Sequence, residues 1–152
     1  MISTRQKIIT ELETKLKTVL VVNGFETDAG LNVFEWRDAP LQESDMPGMV
    51  YRDTQDPITQ SKTTHIHDLS IEIECFAAGS GVPTTLRKMI ADVNKVLGET
   101  TTDGRVTFSA LAIDVFPESE EMVVEQDSRR LMSAAIKFSI QYHTRKFDPF
   151  TQ

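Results

Sequence analysis

The stretch THIHDLSIEIECF, residues 64–76, alternates apolar and polar side chains over most of its length. Successive side chains of a β-strand point to opposite faces, so this alternation predicts a long strand with one buried face. The residues that share the face expected to be buried are His65, His67, Leu69, Ile71, Ile73 and Cys75. Such a strand needs an apolar layer packed against that face, and the rest of the chain must supply it.

Residues 130–144 repeat the same alternation near the end of the chain. Their apolar row comprises Met132, Ala134, Ile136, Phe138, Ile140 and Tyr142. Shorter stretches at residues 31–36, 49–53 and 106–116 are rich in the β-branched and aromatic residues that favour strands. These segments therefore predict a sheet that is built around two long strands.

Two segments have helical periodicity. The first, residues 4–22, follows Ser3 and Gln6 at the spacing of a capping box and ends at Asn23-Gly24. The second opens at Pro83 or Thr84 and closes at Gly98. The order of elements predicts an α+β fold, with a mostly antiparallel or mixed sheet of about four to five strands and two amphipathic helices packed on one face.

Length and charge limit the possible functions. The chain has 152 residues and a formal charge of −7, so we expect a single domain over residues 1–152 and no electrostatic attraction to nucleic acid or anionic lipid. No apolar run is long enough to cross a membrane. The N-terminal residues lack the apolar core of a signal peptide, and we expect the protein to fold in the cytoplasm.

Three segments are expected to be exposed: loops near residues 54–63 and 117–128, and a short tail at residues 145–152. The first two are polar or acidic and contain our candidates for contact with partner proteins, which are Gln55, Asp56, Gln60, Lys62, Glu118, Glu120, Glu121 and Glu125. In the tail, Phe147 and Phe150 either dock on the body of the protein or meet a partner.

The sequence gives little support to an enzymatic function. His65 and His67 have the i, i+2 spacing that can present two imidazoles to one metal ion, and a small metal-dependent hydrolase that also uses His143 is the alternative function. We expect these histidines to be unliganded. We also expect no cofactor and no catalytic residue in this chain. The turn at residues 79–85 resembles a phosphate-binding loop only weakly, because it lacks the lysine of a P-loop and the third glycine of a dinucleotide site.

Four segments together resemble a known family. They follow the N-terminal helix and are the stretch VNGFETDAGLNVFEWRDAPLQESDMPGMVYRDTQDPI, the strand HIHDLSIEIE, the helix LRKMIADVNKVLG and the terminal strand IKFSIQYHT. In content and order they are similar to the tail-terminator or tail-completion proteins of long-tailed bacteriophages, the family of minor tail protein U. The resemblance spans most of the chain.

This resemblance implies a structural role in the virion tail, with assembly in the cytoplasm of the bacterial host. Terminators of this kind form a ring, usually a hexamer, that caps the tail tube, ends its polymerisation and offers a surface to the head-tail connector protein. The implied partners are thus further copies of the chain, the tail-tube protein and the connector, with no membrane and no sequence-specific binding of nucleic acid.

The strand assignment at residues 130–144 predicts the effect of one substitution. Ile136→Asp should unfold the protein, because an unpaired carboxylate in the apolar layer costs several kcal/mol, about as much as many domains have in total. Circular dichroism and urea denaturation measure the result. A variant that stays soluble and unfolds cooperatively near the wild-type midpoint would contradict the assignment.

Overall fold

The computed structural model describes residues 1–98, 104–126 and 130–152. These residues contain two α-helices, α1 (Thr4–Lys17) and α2 (Val82–Leu97). They also form six β-strands, which are β1 (Val33–Glu35), β2 (Gly48–Gln55), β3 (Ile58–Gln60), β4 (Thr64–Ala77), β5 (Asp114–Gln126) and β6 (Arg130–Arg145).

The strands of the described residues form one mixed sheet with the order β1-β2-β4-β6-β5. β1 runs parallel to β2, and every other pairing is antiparallel. The short strand β3 pairs with the beginning of β4, on the same side as β2, and brings the number of strands to six. The α+β architecture expected from the sequence is confirmed.

The core lies between the two helices and one face of this sheet. The predicted apolar rows of β4 and β6 both face it, since Leu69 pairs with Ile140 and Ile73 with Ile136. The helices contribute the apolar stripes predicted from their periodicity. The fully buried helical residues of this core include Ile8, Leu12, Leu16, Leu86, Met89 and Val93.

The other face of the sheet is polar. Arg52 of β2 lies 2.7 Å from Glu74 and 3.6 Å from Glu72, both on β4. Lys137 of β6 lies 3.7 Å from Glu72 on its other side. These side chains are half-buried, and their charges are balanced by cross-strand neighbours.

Helix α1 is shorter than predicted, because it ends at Lys17 instead of continuing to residue 22. The chain turns there because Gly30 packs against the helix end, where its N–H donates to the Val19 carbonyl at 2.8 Å. A Cβ on Gly30 would meet three backbone oxygens at 2.8 Å. This contact comes from residues far along the chain, so the local helical pattern could not reveal it.

Strands occupy half of one predicted loop and most of the other. In the segment 54–63, β2 continues to Gln55 and β3 occupies Ile58–Gln60. In the segment 117–128, β5 extends to Gln126 and pairs with β6, with a bulge between Pro117 and Ser119. The polar composition of both segments predicts loops. Pairing with a long neighbouring strand supplies backbone hydrogen bonds that cannot be inferred from composition.

The strand predicted at residues 106–116 begins only at Asp114. Before it, Phe108, Ser109 and Ala110 have φ of 46°, 56° and 67°, which is the left-handed region. Phe108 is 2% exposed, and the Ser109 hydroxyl donates to Glu11 of α1 at 2.9 Å. Insertion of Phe108 into the core therefore replaces the first half of the expected strand with a turn.

A buried carboxylate of helix α2 forms hydrogen bonds with the segment that follows α1. Asp92 is 2% exposed. It accepts hydrogen bonds from the Glu26 N–H, the Thr27 N–H and the Thr27 hydroxyl at 2.9, 2.9 and 2.7 Å. A buried charge is stable only when its hydrogen bonds are satisfied, and three donors satisfy this one.

Removal of this carboxylate should destabilise the protein. Asp92→Ala leaves three donors without their acceptor, so we expect the free energy of unfolding to fall by about 2–4 kcal/mol. The nearby exposed residue Asn94, replaced by alanine, is the matched control and should change it by less than about 0.5 kcal/mol. Urea denaturation measures both. Equal effects of the two substitutions would contradict a specific role of Asp92.

Candidate functional site

Two aspartates at the end of β2 connect helix α1 to the sheet. The Arg5 guanidinium donates to Asp53 Oδ2 from Nε at 2.8 Å and from Nη2 at 2.5 Å, and Trp36 Nε1 donates to Asp53 Oδ1 at 2.7 Å. Partial burial alone raises the pKa of Asp53, but the hydrogen bonds from Trp36 and Arg5 outweigh it and hold that pKa below its ordinary value.

The side chain of the second aspartate, Asp56, contacts residues of β4 and β6. Its Oδ2 lies 3.1 Å from His67 Nδ1 and accepts a hydrogen bond from the Tyr142 hydroxyl at 2.9 Å. The second ring nitrogen of His67, Nε2, lies 3.1 Å from the Thr144 hydroxyl. The rings of His67 and Tyr142 are stacked with centroids 4.4 Å apart. Burial, followed by the hydrogen bond to Asp56, raises the pKa of Tyr142.

Side-chain contacts link Asp56 to His67 and His67 to Thr144, as in a catalytic triad, in which an acid orients an imidazole toward a hydroxyl. A nucleophile must also be open to substrate, and Thr144 is 3% exposed while His67 is 9% exposed. The stacked Tyr142 ring closes another side of the imidazole. The arrangement therefore stabilises the junction of β2, β4 and β6 and offers no hydroxyl that a substrate could reach.

The three histidines do not converge on a metal site. Ile66 pairs with His143 and His67 pairs with Tyr142, so His143 lies on the opposite sheet face from His65 and His67. Within the described ranges, no group of three His, Cys, Asp or Glu side chains is placed to hold a metal ion. Cys75 is fully buried, and this burial raises the pKa of its thiol to about 12.

The candidates for partner contact in the segment 54–63 have two kinds of environment. Gln55, Gln60 and Lys62 are exposed at the edge formed by the end of β2, by β3 and by the turn that follows. Asp56 instead turns inward, with its side chain 13% exposed and held by Tyr142 and His67. The exposed three lie close to one another in the chain, along the edge of β4 that pairs with β2 and β3.

The acidic candidates lie along β5, which is the last strand of the sheet. Glu118, Glu120 and Glu121 are exposed, and Glu120 accepts a hydrogen bond from Asn94 Nδ2 at 2.5 Å. The side chain of Glu125 lies outside the described residues. Beside this strand is a groove of about 510 Å³ between β5, β6 and the end of α2. Its lining is mainly apolar and includes Leu97, Val115, Pro117 and Phe138.

The C-terminal tail forms a turn that is fixed to the N-terminal end of α1. The Thr4 N–H donates to the Pro149 carbonyl at 2.8 Å, and the Arg145 N–H donates to the Thr151 carbonyl at 2.9 Å. Phe147, which the sequence left either docked or facing a partner, is 82% exposed. Phe150 is 38% exposed. The backbone of the tail is thus tied down while its first phenylalanine points outward.

Sequence reasoning missed most of the polar network around Asp53 and Asp56. Arg5 and Trp36 are drawn into it from α1 and from the residue after β1, and Thr144 from the end of β6. Their separation along the chain leaves no local motif. One available signal was the pair of aspartates at the end of a strand, since buried carboxylates require donors.

No protein-family model matches the sequence. Among solved structures, the chain is similar to a chain of the structure described as "Virion of native gene transfer agent (GTA) particle", with a TM-score of 0.51 and 14% sequence identity. The similarity covers 87% of this chain and 91% of that chain. It shows a shared fold over nearly the whole length. No helix in the described part of the chain is long and apolar enough to span a membrane.

The lowered pKa of Asp53 predicts how stability depends on pH. An aspartate whose folded pKa is depressed stabilises the protein above its ordinary pKa, here 3.8, and this contribution is lost as the pH falls through the lower folded value. We therefore expect the free energy of unfolding to decrease below about pH 4 more steeply in the wild type than in Asp53→Asn.

Urea denaturation at a series of pH values measures this slope. Asp38→Asn is the matched control, because Asp38 is exposed, and it should keep the wild-type slope. Identical slopes for the wild type and Asp53→Asn would contradict a stabilising Arg5–Asp53 pair.

Proposed function

We propose that this chain is a structural assembly protein of a long-tailed phage or prophage. In this role it acts as a single non-enzymatic domain that closes into a ring of six copies, caps the tail tube, ends its polymerisation and provides the surface for head-tail joining. The observation that carries the proposal is the fold, which is shared over 87% of the chain with a chain of a gene transfer agent virion. The sequence resemblance to tail terminators supports it independently.

The surfaces of the molecule agree with an assembly role. A subunit between two unlike axial partners needs one surface for each partner and side surfaces for its own neighbours in the ring. The exposed edge that carries Gln55, Gln60 and Lys62 supplies a polar surface for one axial partner, the tail-tube protein or the connector. The acidic strand β5, at the edge of the sheet, supplies a side surface.

Charge agrees with a channel through which DNA passes. A protein with a formal charge of −7 repels the phosphate backbone unless its cations are concentrated in one place. A ring of such subunits would let DNA pass its lumen without holding it. In this proposal the protein is assembled in the host cytoplasm and resides in the virion tail.

Assembly with the tail-tube protein tests the function. Negative-stain electron microscopy and analytical sedimentation of the purified chain, alone and mixed with the tail-tube protein of the same phage or prophage, should show six-fold rings at tube ends. Tubes formed with the chain present should stop growing at a capped end. A chain that remains monomeric and leaves tube growth unchanged would contradict the proposal.

A surface variant makes the same test specific. Replacement of Gln55, Gln60 and Lys62 by alanine should keep the melting temperature within a few degrees of wild type, because all three are exposed. The same variant should lose binding to the tube protein or to the connector. Alanine at the exposed Gln6, Lys7 and Thr10 of α1 is the matched control and should bind both partners normally.

A further inference from the structure

An exposed aromatic residue projects from the C-terminal turn. Phe147 is 82% exposed and adopts φ of 56°, and its ring meets the edge of the His65 ring at 4.9 Å between centroids. Its chain neighbours Arg145 and Lys146 are both exposed. The carboxylate of Asp148 in the same turn already accepts hydrogen bonds from the Phe150 N–H and the Thr151 hydroxyl. The turn is therefore an apolar projection that directly follows two cations in the chain.

The groove beside β5 has the complementary character. Its floor is apolar, with Leu97, Val115 and Phe138, and its volume of about 510 Å³ exceeds what a phenylalanine side chain needs. Glu118 and Glu120 lie at its rim. Glu118 has no ion-pair partner among the residues that the structure describes. The groove thus suits an apolar side chain that carries positive charge beside it.

A subunit cannot fill its own groove with its own turn. Lys137, which lines the groove, and Arg145, which begins the turn, belong to the continuous strand β6. The groove also reaches Val115 of β5, which pairs with Ile140, five residues before Arg145. A strand advances about 3.3 Å per residue, so the near end of the groove and the start of the turn are about 16 Å apart. Because β6 is paired along its length with β4, this distance is fixed.

We propose that the C-terminal turn of one copy, with Phe147 preceded by Arg145 and Lys146, inserts into the groove between β5, β6 and α2 of a second copy. The contact is heterologous, because the two surfaces differ, and repetition of such a contact closes a ring when its rotation permits. The inference rests on the proposed ring and names the surfaces through which its subunits meet. Burial of an aromatic side chain supplies affinity, while the opposite charges orient the turn.

Cross-linking between two single-cysteine variants tests the contact directly. The native Cys75 is fully buried and does not compete for the reagent. A mixture of Glu118→Cys and Lys146→Cys, treated with a short bis-maleimide, should give a covalent dimer. Each variant alone should give none, because the contact joins unlike surfaces. Lys17→Cys, at the opposite end of α1 from the C-terminal turn, is the matched control in place of Lys146→Cys and should not cross-link with Glu118→Cys.

Substitutions test the two components of the contact. Phe147→Ala should weaken self-association at least about tenfold in sedimentation, with an unchanged melting temperature because the side chain is exposed. Leu31→Ala is the matched control, since Leu31 is 71% exposed on another part of the surface. Lys146→Glu should weaken association as well, and the second change Glu118→Lys in the same chain should restore it.

The outcomes separate this inference from the proposed function. Wild-type rings on tail tubes without the Glu118–Lys146 cross-link would overturn the contact and leave the function standing. The cross-link without tube capping would support the contact and overturn the function. A cross-link from Lys146→Cys to the tube protein, or a dimer formed by either single variant alone, would overturn the heterologous contact between copies.

Discussion

The structure depends on the antiparallel pairing of β4 with β6. All 14 residues of β4 have partners on β6, from Thr64 opposite Arg145 to Ala77 opposite Met132. This register brings the apolar rows of both strands to one face, and a slip of one residue would turn one of these rows to the polar face. The helices, β2 and β5 all pack against or pair with this central unit.

The same pairing positions the groups at the ends of the sheet. It places Thr144 and Tyr142 beside His67, and the inward turn of Asp56 then completes the polar junction with hydrogen bonds from residues of separate strands. It also places the groove and the C-terminal turn at different points of one rigid strand. In the proposed ring, rigid separation of unlike surfaces would matter, because the angle between neighbouring copies decides whether a ring closes.

Several elements could be predicted from the sequence because their signals are local. The alternation at residues 64–76 and 130–144 predicted β4 and β6 together with their buried faces. The helical period of the apolar residues predicted both helices. The strands within the segments 54–63 and 117–128 depend on pairing with β4 and β6, and polar composition does not show such pairing. The end of α1 and the turn at Phe108 depend on distant packing.

For the candidate site, the sequence alone determined the identity of the acidic and polar residues and their positions along the chain. The tertiary structure decided which of them meet: it put His143 on the face opposite His65 and His67, and it turned Asp56 inward while Glu118 stayed at the rim of a groove. The physical reason is that strand period fixes only which residues share a face. Which faces and edges become neighbours depends on the pairing of strands that are distant in the chain.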